Sequence, residues 1–336
     1  MTVQITIIGL GQIGASFGLA LAAKRDLIQR TGHDKEASVA RQAEKLGAVD
    51  KVEVNLHRAV KDADLVLLCV PMDQLRETLE LISGSLKTGA VIMETGPAKE
   101  MVSNWVKELM PGATNYVGLT PVINAAYLHG TESGLEAAHP DLFRGGLMAI
   151  VSPPQTDSTA IKLAADLTRL VGADPLFADP VEIDGLMAAT HLLPQLMAAA
   201  LLNATIDQPG WREGKKVAGR AYAEASGPIV HLSQPQALSA SSLLNRDNIL
   251  RMLDSASAAL EAIRGDIERQ DEAALNDRLS RARSGRLKWW GERRSGEWMD
   301  GTPVMELPET PGTLSRLFGV GRKPKTKDSK TEKPSA

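Results

Sequence analysis

The chain has 336 residues, of which 43% are hydrophobic and 24% charged, and its formal net charge is −3. That length suits about two domains of a soluble globular protein, and nothing in the overall charge favours nucleic acid. The single cysteine, Cys69, rules out a disulfide within one chain and, inside an apolar run, reads as a small buried hydrophobe rather than a nucleophile.

Residues 3–8 (VQITII) are apolar and β-branched and predict a buried strand. The run leads directly into Gly9-Leu10-Gly11-Gln12-Ile13-Gly14, and residues 15–23 are small and helix-compatible. Three glycines therefore stand at a strand-to-helix turn. The first allows the tight turn, the second lets backbone approach a pyrophosphate, and the third lets the helix pack close to the strand. The helix N-terminus offers free N–H groups to phosphates. Asp34 falls where an acid can bind ribose hydroxyls. This pattern predicts a dinucleotide site; the alternative is a glycine turn with no ligand. Asp34 favours NAD, because a carboxylate repels a 2′-phosphate, while Lys35 beside it keeps NADP open.

Further strands are predicted over 27–31, 52–54, 65–70, 90–93 and 116–119, and helices over 35–46, 74–83 and 99–110. Gly47 suits a helix end, and Leu75, Leu79 and Ile82 share one helix face. Strands alternating with helices imply a parallel α/β sheet with right-handed crossovers. The character changes near residue 180. Residues 182–204 are strongly apolar and helix-forming, and 246–269 and 271–290 are further long helices. The chain thus divides into a dinucleotide-binding domain (1–152), a segment completing the α/β domain (153–180), an all-α domain (181–295) and a tail (296–336). Buried helices with so little chain to cover them predict a homodimer through the helical domain. Residues 312–336 carry seven Lys/Arg against two Asp/Glu and read as a disordered basic tail. No apolar run is read as membrane-spanning, the first strand leaves no room for a signal peptide, and a cytoplasmic protein without a metal site is expected.

This order of parts resembles the prephenate/arogenate dehydrogenase family of tyrosine biosynthesis over roughly residues 3–290. Its members join an N-terminal Rossmann domain to a helical dimerisation domain. The resemblance rests on the glycine turn through Ala15-Ser16, on Gly32-His33-Asp34, and on Asp62-Ala63-Asp64 with the strand ending at Val70-Pro71. The most specific stretch is Ser133-Gly134-Leu135-Glu136-Ala137-Ala138-His139-Pro140-Asp141-Leu142-Phe143-Arg144-Gly145. Residues 245–250 and 271–275 also look like the family's late helices. The resemblance implies cofactor contacts at Gly9, Gly11, Gln12, Ile13, Gly14, Asp34, Val70 and Pro71, with NAD (or NADP) as cofactor.

The family's catalytic positions differ. Its DxGSVK stretch reads Glu94-Thr95-Gly96-Pro97-Ala98-Lys99, with Pro97 at the serine position. Its GGHPMAG stretch reads Gly118-Leu119-Thr120-Pro121-Val122, with Thr120 at the histidine position. Its SHLPH stretch reads His191-Leu192-Leu193-Pro194-Gln195, and no arginine stands near Ile229. A positioned base is typically worth about 10²–10⁴-fold, and threonine is a poor one. Substitutes are therefore sought. His129, in an enlarged loop, is either a base or a solvated histidine. His191 either faces substrate or is a satisfied core histidine. Arg220 either replaces the missing cation or is a surface residue, with Tyr222 and His231 flanking that segment. Lys99 either joins a polar site or is solvated. Thr95 and Thr120 either donate to substrate or pack in loops. Three functions follow: a prephenate or arogenate dehydrogenase with rearranged catalytic residues; a dehydrogenase or reductase of the same build acting on another small acid or imine; or a non-catalytic dinucleotide-binding regulatory dimer.

Overall fold

The structure, a computed structural model, describes residues 2–111, 115–230 and 235–296. Apart from Gly296, the expected tail therefore lies outside the described residues, as does His231. In chain order the first half forms β1 (Val3–Ile8), α1 (Gln12–Leu21), β2 (Ile28–His33), α2 (Ala37–Lys45), β3 (Lys51–Val52), α3 (Leu56–Lys61), β4 (Leu65–Leu68), α4 (Met72–Ser83), β5 (Val91–Glu94), α5 (Lys99–Leu109), β6 (Tyr116–Pro121), β7 (Leu147–Val151), α6 (Ser158–Leu170) and β8 (Asp174–Ala178).

These strands make one sheet in the order β3-β2-β1-β4-β5-β6-β7-β8. Its central strands alternate between two cores. Ile5 and Ile7 of β1 and Leu65 and Leu67 of β4 pack with Phe17 and Leu163 on one face. Ile8, Val66 and Leu68 pack with Leu75, Leu79 and Val102 on the other. Burial on both faces explains why these strands read as continuous apolar runs rather than alternating ones. The sheet departs from the expected all-parallel arrangement at β7, which pairs antiparallel to β6. β8 then pairs parallel to β7. A short apolar run such as LMAIV shows that a strand forms but not which way it runs. The strand order reverses between β1 and β4, and the crevice beyond their carboxyl ends is where such sheets bind ligands.

The second half is helical: α7 (Pro180–Met187), α8 (Leu193–Thr205), α9 (Trp211–Val217), α10 (Arg220–Ser226), α11 (Pro235–Leu244), α12 (Arg246–Glu268) and α13 (Glu272–Ser295). Between α7 and α8 a single π-helical turn, Ala188–Leu192, carries one wide bond from Leu193 N–H to the Ala188 carbonyl. Ala188 and Leu192 point inward and pack with Leu238 and Ile249. The continuous helix Pro180–Thr205 is long and apolar enough, by length and composition, to cross a membrane, and only 17% of its most apolar window is buried. This corrects the expectation that no apolar run reaches that length. A core or interface helix of a soluble protein meets the same criterion, and this one packs on the sheet domain: Ile183 and Met187 touch Ala149 and Val151.

Candidate functional site

The turn after β1 is built as its three glycines require. Gly9 has φ +87°, and a Cβ there would meet the Cys69 carbonyl oxygen at 2.5 Å. A Cβ on Gly14 would come within 1.9 Å of the Gly9 carbonyl oxygen, so only glycine lets α1 pack this close. Gly11 differs: a Cβ there would find no heavy atom within 4 Å. The space beside Gly11 is open, and Gly11 caps α1 without any side-chain bond to the first-turn N–H groups. Those groups are left for an anion. At the end of β2, one Asp34 carboxylate oxygen accepts from Leu10 N–H at 2.8 Å and the other from Glu36 N–H at 2.9 Å. The acid is thus fixed beside the turn. A bare helix N-terminus, an open cradle at Gly11 and an oriented acid together fit a dinucleotide.

A cavity of about 890 Å³ extends from this turn. Of the expected cofactor residues, Gly9, Gly11, Gln12, Ile13, Asp34, Val70 and Pro71 line it. Gly14 stands behind them, in the packing role. Lys35 also lines the cavity, at the Asp34 end. So do Thr95, at the end of β5, and His191, from the π turn of the helical half. His191 keeps exposed surface, yet protein surrounds it on the cavity side, and this loss of water lowers its pKa below the ordinary value. Its imidazole is neutral at physiological pH and can accept a proton. Cys69, also in the wall, has its thiol pushed up to about 12, chiefly by burial, and stays protonated.

Four other candidate residues are not brought to the cavity. Thr120 is buried on β6, and its Oγ1 has no hydrogen-bond partner among the described residues. His129 is an exposed loop histidine whose ring meets the edge of Trp290, from α13, with centroids 5.0 Å apart. Lys99 is neither solvated nor in the cavity wall; it is 1% exposed. Its Nζ donates to Glu94 Oε1 at 2.8 Å and to the Leu119 carbonyl at 2.6 Å. Glu94 in turn accepts from Tyr116 OH at 3.0 Å and from Gly96 N–H at 2.6 Å. Burial pulls the Lys99 pKa down even beside Glu94, and pushes that of Tyr116 up. This cluster ties the ends of β5 and β6 together beneath Thr95. Arg220 is exposed and pairs with Glu224 one turn along its own helix, at 2.7 Å; it does not supply the missing cation.

Sequence reasoning missed a further part of the wall. Tyr127 and His139 both line the cavity and stack on each other, with centroids 4.3 Å apart and planes 15° apart. Tyr127 OH donates to Asp141 Oδ1 at 2.6 Å, which raises the tyrosine pKa. His139 N–H donates to Ser16 Oγ at 3.0 Å, tying this loop to α1. The only signal available was that His139 and Asp141 lie in the stretch most like the family.

Fold and site define a doubly wound dinucleotide-binding protein with an all-helical second half. The pattern described as "Prephenate dehydrogenase, nucleotide-binding domain" matches residues 17–175. Over those residues the chain is similar to the nucleotide-binding domain of the prephenate dehydrogenase family. It is 28% identical to the cyclohexadienyl dehydrogenase of Zymomonas mobilis over 288 residues, covering 84% of this chain and 95% of that one. It is 23% identical to the prephenate dehydrogenase of Bacillus subtilis, covering 94% and 84%. The same fold occurs in the Aquifex aeolicus prephenate dehydrogenase solved with hydroxyphenyl propionate and NAD+, with TM-score 0.76, 20% identity, and 86% and 99% coverage.

Proposed function

We propose that the chain is an NAD-dependent dehydrogenase acting on prephenate or arogenate. The observation that carries this reading is the single cavity joining the glycine turn and Asp34 to Thr95 and His191. The names of the Zymomonas and Bacillus relatives support the reaction class. When bound, the nicotinamide cofactor supplies the hydride acceptor. The chain's own residues do the rest. The glycine turn and the N-terminus of α1 hold the pyrophosphate, and Asp34 takes the ribose hydroxyls. His191, kept neutral by its surroundings, accepts the proton of the substrate hydroxyl, and Thr95 donates a hydrogen bond to the same end of the substrate. Release of carbon dioxide then leaves an aromatic ring. Tyr127 and His139 form an aromatic wall that excludes water. Asp34 selects NAD over NADP, and fluorescence titrations with NADH and NADPH of equal affinity would reject this preference.

The test is NADH formation by purified protein with prephenate and with arogenate. Turnover of either is expected. Clear cofactor binding with no turnover of either would overturn the assignment. The apolar, mostly unburied helix Pro180–Thr205 supports a homodimer formed through the helical half. A light-scattering mass equal to one chain would reject it.

A further inference from the structure

We propose that Asp184 is a positioning residue: its carboxylate fastens the helical half to α5 and so sets His191 over the nucleotide cavity. Asp184 is 5% exposed on α7. One of its oxygens accepts from Lys99 N–H at 2.6 Å and the other from Glu100 N–H at 3.0 Å. These are first-turn N–H groups of α5, which no side chain of α5 itself caps. The Asp184 carbonyl accepts from Asn245 Nδ2 at 2.7 Å, immediately before α12. One residue thus joins α5 of the sheet domain to α7 and α12 of the helical half.

Both ends of this joint lead to the cavity. Lys99, whose N–H Asp184 holds, is the residue whose ammonium braces Glu94 and the Leu119 carbonyl beneath Thr95. In the other direction, His191 follows Asp184 by about two helical turns, inside the π turn that continues α7. Apolar contacts lie beside this joint, such as Leu244 against the α4–α5 side of the sheet and Ile183 against Ala149 and Val151, and a separate polar tie runs from Arg293 of α13 to the Ile123 carbonyl. Apolar contacts hold surfaces together but tolerate sliding, whereas two directed bonds to adjacent N–H groups fix an angle. Asp184 supplies that angle.

The inference rests on His191 facing the reacting end of the cavity, as proposed above, and its test does not depend on turnover. Asp184→Ala removes both acceptors; Asp184→Asn keeps the volume and one acceptor. In each, the His191 imidazole is titrated by NMR, assigned by its loss in His191→Gln, and NADH affinity is measured by fluorescence. Asp184→Ala is expected to move the His191 midpoint up toward the ordinary histidine range and to leave NADH affinity within about twofold. With a turned-over substrate, kcat falls at least tenfold. Asp184→Asn falls between Asp184→Ala and the parent, and carries the test alone if the alanine variant does not fold. A purely structural Asp184 would lower thermal stability without moving the His191 titration. A folded variant with an unmoved His191 midpoint overturns the proposal. Absence of turnover by the parent protein defeats the proposed function but leaves the NMR result to decide the positioning role.

Discussion

Gly11→Ala separates binding from folding at the glycine turn. Gly11 has φ −74° and ψ −161°, which alanine adopts without strain, and its Cβ would meet no heavy atom within 4 Å. Stability should therefore change by no more than about 0.5 kcal/mol, as for an unconstrained surface site. A pyrophosphate approaching the α1 N-terminus, however, needs the space the methyl would fill. Losing one or two charge-assisted bonds at about 1.5–3 kcal/mol each weakens NADH binding by about 10²-fold. Gly14→Ala is the control with the opposite pattern. Its Cβ lies 1.9 Å from the Gly9 carbonyl oxygen, so it should cost about 1–3 kcal/mol or more through overpacking. Urea unfolding reads the stability of both variants, and quenching of tryptophan fluorescence by NADH reads affinity. A Gly11→Ala protein that binds NADH as tightly as the parent would refute the cradle argument.

Three further outcomes are expected. Asp34→Asn should narrow the preference for NADH over NADPH by about tenfold or more, since a charge pair at 4 Å is worth about 1–4 kcal/mol between water and a protein surface; paired fluorescence titrations measure it. Lys99→Met leaves the Glu94 carboxylate buried without its cation and should cost about 3–5 kcal/mol in urea unfolding, with partial recovery in Lys99→Met/Glu94→Gln. The Asp184 pKa is raised from 3.8 to about 6, chiefly by burial, so the folded state holds a proton that the unfolded state gives up. Its stabilising contribution is complete below about pH 4 and lost as pH rises through 6, at most about 3 kcal/mol at 1.36 kcal/mol per pKa unit; the stability difference between the parent and Asp184→Asn should shift by that amount across this window.

The glycine turn, Asp34 and the central strands were legible because their signals are local: a motif at fixed spacing, and apolar runs buried on both sides. What was not legible depends on distant chain. β8 escaped notice because it is a half-buried strand at the sheet edge, and α3 because it is six residues long behind Asn55, whose side chain accepts from Arg58 N–H. His129 reads as a loop residue and is one, but nothing local shows that α13, far along the chain, brings Trp290 against it. Lys99 reads either as part of a polar site or as a solvated first-turn lysine, and its burial depends on Glu94 and on the β6 carbonyl that reaches it. The Tyr127–His139 stack spans a turn whose shape no spacing rule gives. His191 was within reach because an isolated histidine in an apolar helix has few places to go.

The π turn at Ala188–Leu192 also limits how this helix can change length. It holds one residue more than a regular helical turn, and each residue of an α-helix advances about 100° around its axis. Because a π turn absorbs its extra residue locally, deleting that residue would restore the regular hydrogen-bond ladder and leave the flanking helices close to their present registration, so the change would fall on the turn itself. His191, which lies inside the turn, would be re-aimed relative to the cavity wall, while the composition of the helix stayed almost the same. The turn therefore sets where His191 stands on the helix without turning α7 against α8.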